Sequence, residues 1–390
     1  MTHIGRLNSH ILKKGIVMKR WMSVLLSFAM VLSLTACGSG TGSTTAAATT
    51  AAPATKAETT AAETTAAPET TAAATTAAQG AISFTDQGGR QVTLEKPAES
   101  VVSCYYITSY AMIALGLTDH LVGVEDNADK RPMYSLAAPE LMELNSVGSL
   151  KEFNLEAAAA LNPDLILLPK KLWSNADTLT GLGIQVIEVN PESHEELVEM
   201  LHLIAKACGK EENAVALENY YNQKLDEIKG LTANLTDDQK PVVYMAGNSD
   251  YLTTAPAAMY QATLIDTAGG VNAAKDVDGD YWVEVSYEQI LAMNPDVIVI
   301  PCAAKYTAED ILKDEQLAGV TAVKNKAVYH MPAALEEWDS PVPSGILGNL
   351  WMLAVLHEDL YSMETMREDA AEFYQTFYGV TIDAEKLIGK

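Results

Sequence analysis

Two stretches decide the fold: residues 154–169, NLEAAAALNPDLILLP, and residues 286–301, SYEQILAMNPDVIVIP. At a constant offset of 132, seven of sixteen positions are identical: Glu156/Glu288, Ala160/Ala292, Asn162/Asn294, Pro163/Pro295, Asp164/Asp296, Ile166/Ile298 and Pro169/Pro301. A repeat at this distance indicates two similar lobes rather than a short-period solenoid. Each copy has the same grammar. Asn154 or Ser286 offers an N-cap oxygen, a short helix runs to Leu161 or Met293, and Asn-Pro-Asp ends it. An unbroken apolar run follows, at 165–168 or 297–300, and Pro closes it. Such a run is a strand buried on both faces, as in a parallel sheet with helices on each side.

Working outward, the chain alternates strands and helices in both halves. Strands are expected at 101–102, 121–124, 242–245 and 327–329. Helices are expected at 108–115, 259–268 (stopped by Gly269-Gly270) and 345–356. Between the halves, residues 211–229 (EENAVALENYYNQKLDEIK) place Ala214, Leu217, Tyr221, Leu225 and Ile228 on one helical stripe, with no Gly or Pro to interrupt it. The expected fold class is α/β: two lobes, each a parallel sheet flanked by helices, joined by one long rigid helix of about 28 Å. The expected boundaries are 81–210 for the N-terminal lobe, 211–230 for the linking helix, and 231–390 for the C-terminal lobe and terminal helices.

The first 80 residues do not belong to that body. Lys13, Lys14, Lys19 and Arg20 precede an apolar stretch at 21–34, which is too short for the roughly 20 residues a spanning helix needs. This is a signal peptide over 1–36, with Met18 as an alternative start. The sequence Leu34-Thr35-Ala36-Cys37 resembles a bacterial lipobox, and by that resemblance Cys37 becomes the acylated N-terminus. Residues 38–80 contain no Leu, Ile, Val, Met or aromatic residue, so they cannot bury a core and read as a tether. As a flexible coil the tether reaches roughly 35–40 Å r.m.s..

The 390 residues carry 51 acidic and 26 basic side chains, a formal charge of −25. Loss of the leader removes five basic residues and no acid, which makes the remainder more acidic still. That balance argues against nucleic acid, whose phosphates need a basic face. Four cysteines, at 37, 104, 208 and 302, form neither a CxxC pair nor a zinc spacing. Histidine is too scarce for a bare divalent-metal site, which usually takes two or more with carboxylates. The sequence has no GxSxG, HExxH, GxxxxGK[ST] or post-strand GxGxxG; their absence does not exclude an enzyme, but a tethered two-lobed receptor needs none, and the expectation is a non-enzyme without a cofactor. Cys104, Cys208 and Cys302 read as buried, inert thiols.

The two Glu motifs, the segment VVSCYYITSYAMIALGLTDHLVGV at 101–124 and the late NKAVYHMP at 325–332 together resemble the helical-backbone (class III) substrate-binding proteins. These serve ABC importers for iron–siderophore, haem and cobalamin. The similarity covers about residues 95–360. It implies two lobes closing on a ligand, with small motion limited by the linking helix. It implies a monomeric, lipid-anchored receptor on the extracytoplasmic face of the membrane that delivers a metal chelate to permease subunits. By the same match, Glu156 and Glu288, one on each lobe, are the residues that dock to the permease. A carboxylate at the second position of a helix also complements the helix dipole, by about 0.3–1 kcal/mol, so these residues have a local reading as well.

In open parallel sheets, ligands bind beyond the carboxyl ends of the strands. The post-strand segments supply Tyr105 and Tyr106, then Arg131, then Lys170 and Trp173. In the second half they supply Asn248 and Tyr251, with Tyr281 and Trp282 before the second Glu motif and Trp338 after the 327–329 strand. Tyr and Trp give flat apolar faces with a polar edge, which suits a large planar chelate. Arg131 and Lys170 suit an anionic group on it. No convergent group of arginines is visible, so an anionic siderophore is not favoured over a neutral one or a corrinoid. Two alternatives stand beside the chelate receptor: a molybdate-type oxyanion receptor, and a surface-anchored enzyme that processes a chelate.

Overall fold

The computed structural model describes residues 81–388. The leader, Cys37 and the tether lie outside the described residues. A hairpin of β1 (Ile82–Thr85) and β2 (Gln91–Leu94) opens the described chain. The next strands are β3 (Val101–Ser103), β4 (Leu121–Val124), β5 (Asn145–Ser146), β6 (Leu165–Pro169) and β7 (Gln185–Val189). They form a parallel sheet in the order β5-β4-β3-β6-β7. After the linking helix come β8 (Val242–Met245), β9 (Thr253–Thr254), β10 (Val271–Asn272), β11 (Val283–Glu284), β12 (Val297–Ile300) and β13 (Val328–His330). Of these, β10-β8-β12-β13 is a second parallel sheet, and β9 and β11 are a small antiparallel pair. The two-lobed α/β architecture is the one expected from the repeat.

The duplicated motif folds in the same way twice. The Leu155–Ala160 helix is capped by Asn154, whose Oδ1 accepts from the Ala157 amide at 2.9 Å. The Tyr287–Met293 helix is capped by Ser286, with Gln289 reaching back to the Ser286 amide at 2.8 Å. Asn162 and Asn294 both take the left-handed conformation, φ 48° and 43°. Asn tolerates that region better than most residues, and it reverses the chain from helix into strand. The following Asp then staples a neighbouring strand. Asp164 Oδ2 accepts from the Glu99 and Ser100 amides, both at 3.0 Å, at the start of β3. Asp296 Oδ2 accepts from the Val242 amide at 2.9 Å, at the start of β8. Burial works against the charge on Asp164, but the donors from Glu99 and Ser100 outweigh it and hold the carboxyl below its usual range.

Alternation within the apolar strands divides the interior into layers. Val101, Leu165, Leu167 and Ile187 of the first sheet share one continuous core with Val243, Met245 and Val299 of the second. Tyr221 and Ile228 of the linking helix belong to the same core, as do Leu350 and Phe373 near the C-terminus. The alternate residues face outward: Val102, Ile166 and Leu168 in one lobe, and Tyr244, Ile298 and Ile300 in the other, each under its own outer helices.

The linking helix runs Glu211–Thr232, 22 residues and about 33 Å. Ala214, Leu217, Tyr221 and Ile228 are buried as the stripe predicts, whereas Leu225 is only half-buried. Its neighbour Lys224 goes inside instead. The Nζ of Lys224 lies 2.7 Å from Asp369 Oδ2 and 3.1 Å from Glu227 Oε2. Burial opposes the ammonium charge, but Asp369 and Glu227 outweigh it and hold the group protonated beyond its usual range. Asp369 lies on the Met363–Phe373 helix, so this pair ties the C-terminal helices to the linker.

Candidate functional site

The carboxyl end of β3 leads directly into the Tyr106–Ala114 helix, with Tyr105 as its N-cap residue. This places Tyr105 and Tyr106, both half-buried, at the lip of the first lobe. The tyrosines continue inward as an edge-to-face ladder. Ring centroids are 4.4 Å apart for Tyr105/Tyr106, 5.9 Å for Tyr106/Tyr110 and 5.2 Å for Tyr110/Tyr134. Such geometry aligns the positive ring edges with neighbouring faces. Burial pushes the phenols of Tyr106 and Tyr134 well above their ordinary range, so both remain neutral donors.

Arg131 lies over this ladder, with its guanidinium carbon 4.3 Å from the Tyr106 ring centroid. It precedes Pro132, which opens the Pro132–Ala137 helix. Glu125, at the end of β4 and 5% exposed, is its fixed partner: Glu125 Oε1 is 3.2 Å from Arg131 Nε. Glu125 in turn accepts from Tyr134 Oη at 2.7 Å and Ser109 Oγ at 2.6 Å. Burial opposes the Arg131 charge, but its acidic and phenolic neighbours keep it firmly protonated.

The second lobe meets this cluster through the segment 336–340. Arg131 Nη1 reaches Glu337 Oε1 at 3.4 Å, and Tyr106 Oη donates to Ser340 Oγ at 3.3 Å. The segment is pinned from behind. Glu336 accepts from Tyr378 Oη at 2.7 Å, Trp338 Nε1 donates to Tyr374 Oη at 2.9 Å, and Asp339 Oδ2 accepts from the Cys302 amide at 3.2 Å. Gly348 lets the following helix pass close by, because a Cβ there would fall 2.3 Å from the Trp338 carbonyl oxygen. Residues 336, 338 and 339 are therefore buried, while 337 and 340 face the first lobe.

The sequence-expected residues separate into two groups. Tyr105, Tyr106 and Arg131 come together. Trp338 does not join them as a ligand-facing ring: it is 1% exposed, and its indole N–H is committed to Tyr374. Trp173 packs on the outer layer of the first lobe and donates to the Leu168 carbonyl at 3.0 Å. Tyr251 packs in the outer layer of the second lobe and donates to Asp314 Oδ2 at 2.8 Å. Lys170 is exposed, Tyr281 is 66% exposed, and Trp282 is half-buried against the shared core. Asn248 is half-buried, and its Oδ1 is a buried acceptor without a partner among the described residues. Glu156 and Glu288 are both exposed at the second position of equivalent helices. Sequence reasoning missed Glu337 and Ser340, which carry no motif; only their apposition to the tyrosine lip reveals them. Cys104, Cys208 and Cys302 are free and buried, and burial pushes the Cys208 thiol up to about 12. No group of three or more His, Cys, Asp or Glu side chains among the described residues is arranged to hold a metal ion.

Comparison with known proteins gives the architecture a context. A family model described as a periplasmic binding protein matches residues 101–335. The molybdate-binding protein MolA of Haemophilus influenzae is 27% identical over 321 residues, 75% of this chain and 90% of its own length. An ABC transporter substrate-binding lipoprotein of Bacillus subtilis, YvrC, is 28% identical over 67% of this chain and 81% of its own. A vitamin B12-binding protein of Salmonella choleraesuis is 30% identical over 48% of this chain and 68% of its own. Among solved structures, a periplasmic solute-binding protein of Veillonella parvula superposes with a TM-score of 0.69 at 27% identity, covering 79% of this chain and 97% of that one.

Proposed function

The chain belongs to the periplasmic binding protein family, and from that premise we propose that it is the lipid-anchored receptor of an ABC importer, capturing a metal chelate between its lobes. One observation carries this reading: the tyrosine lip and Arg131, at the carboxyl ends of β3 and β4, face Glu337 and Ser340 of the other lobe. Ligands of open parallel sheets bind at such ends, and half-buried tyrosine rings suit a flat macrocycle. Glu156 and Glu288, exposed at matching positions of the two lobes, fit one contact per permease subunit. The basic leader and Cys37 supply the export and anchoring that an extracytoplasmic receptor needs. The test is intrinsic fluorescence of the mature chain titrated with ferric siderophores, haemin, cobalamin, molybdate and free metal ions. One chelate should quench saturably at submicromolar concentration. Tyr105→Ala should weaken that binding about tenfold, roughly 1.4 kcal/mol. A folded chain that binds none of these probes refutes the assignment.

A further inference from the structure

Resting on the receptor reading, we infer that Glu337 sets the charge class of the ligand: the cleft takes an uncharged or cationic chelate that donates hydrogen bonds, and it refuses free oxyanions. Arg131 is the natural anchor for an anion, but two carboxylates already flank its guanidinium. Glu125 Oε1 lies 3.2 Å from Nε as an ion pair without an aligned hydrogen bond, and Glu337 Oε1 accepts from Nη1 at 3.4 Å from the other lobe. Two carboxylates face one cation, so the subsite carries net negative charge. An anion entering here would have to displace a carboxylate from Arg131 while lying beside a second one, and like charges at that range repel.

The two carboxylates are placed differently. Glu125 is buried and accepts from Tyr134 and Ser109. The backbone that presents Glu337 is fixed by its chain neighbours, because Glu336, Trp338 and Asp339 are each hydrogen-bonded inside the protein. The second oxygen of Glu337 is the informative atom. Oε2 is buried and has no hydrogen-bond partner among the described residues. A buried carboxylate oxygen without a donor is costly, and a ligand that brings an amide N–H, a hydroxyl or an ammonium group relieves that cost. A bare oxyanion brings only acceptors. The Tyr105 and Tyr106 rings, joined to Glu337 through Arg131, supply apolar contact for the body of such a ligand.

The experiment compares the mature, detergent-solubilised chain with Glu337→Gln by calorimetric titration against three probes. These are cyanocobalamin (uncharged and edged with amides), a ferric tris-catecholate chelate (anionic) and molybdate (a free oxyanion). Wild type should bind the uncharged probe best and molybdate not at all. Glu337→Gln places an amide N–H where the acceptor was. It should weaken the uncharged probe about tenfold and give measurable binding of an anionic probe. Because wild-type selectivity is read independently, the inference stays testable even if the variant does not fold; a matching thermal melt shows whether it does. Tighter binding of molybdate or the catecholate by wild type, or an unchanged preference in a folded Glu337→Gln, overturns the inference and leaves the receptor reading intact. A folded wild type that binds none of the three overturns the inference; the receptor reading falls with it only if haemin, the other ferric siderophores and free metal ions also fail to bind.

Discussion

Replacing Glu336 with Gln should make the protein more stable at pH 8 while changing little at pH 4.5. Glu336 is 2% exposed, and burial, opposed by the Tyr378, Ser344 and Tyr374 hydroxyls, moves its carboxyl from 4.5 up to about 7. The unfolded chain loses this proton near 4.5, whereas the folded chain keeps it until about 7. Between those values the folded state binds more protons, so stability is fully present below 4.5 and falls as pH rises through 7. A displacement of that size corresponds to about 3 kcal/mol. Gln imitates the protonated acid, with a carbonyl to accept from Tyr378 and no charge to develop. The assay is urea denaturation of wild type and Glu336→Gln at several pH values from 4.5 to 8.5. The difference in unfolding free energy should open by about 3 kcal/mol in favour of the variant as pH rises, and carboxylates not coupled to Glu336 cancel in that difference. Parallel stability curves across the range would refute the reasoning, because they would mean that Glu336 titrates alike in both states.

Two further perturbations test other parts of the structure. Lys224→Met leaves Asp369, 7% exposed, without its buried cation and still accepting from the Tyr361 hydroxyl, and should destabilise by about 3 kcal/mol in urea. Adding Asp369→Asn to that variant should recover much of the loss, since the uncompensated charge is the main penalty. Glu156→Ala and Glu288→Ala should each leave the ligand Kd unchanged and cost at most about 1 kcal/mol of stability. Together they should abolish ligand stimulation of ATP hydrolysis by the reconstituted importer; retained stimulation would leave these residues only their interaction with the helix dipole.

The lobed architecture was readable because its signals are local. The N-cap, the left-handed Asn, the stapling Asp and the apolar run all lie within sixteen residues and occur twice, so each copy corroborates the other. The site was only partly readable because its partners are remote. Trp338 follows a strand in an aromatic-bearing loop, which is where a ligand contact is expected. What buries it is Tyr374, on a helix that returns from the C-terminus. Lys224 interrupts an apolar stripe, and its reason for being inside, Asp369, lies 145 residues away. Glu337 is one acid among 51, and only its approach to Arg131, 206 residues earlier, distinguishes it. Periodicity reports which face of an element is covered; it does not report by what.

The shared inner layer also determines the order in which the chain can finish folding. Tyr110, Leu165 and Leu167 belong to the lobe that is synthesised first, yet they pack in one core with Phe373 and Tyr374. Until those last helices emerge, this shared core lacks part of its lining, and an incomplete apolar face does not settle fully into a native state. Contacts this distant in sequence also close slowly, because a long loop must be ordered before they form. Completion is thereby deferred to the end of synthesis.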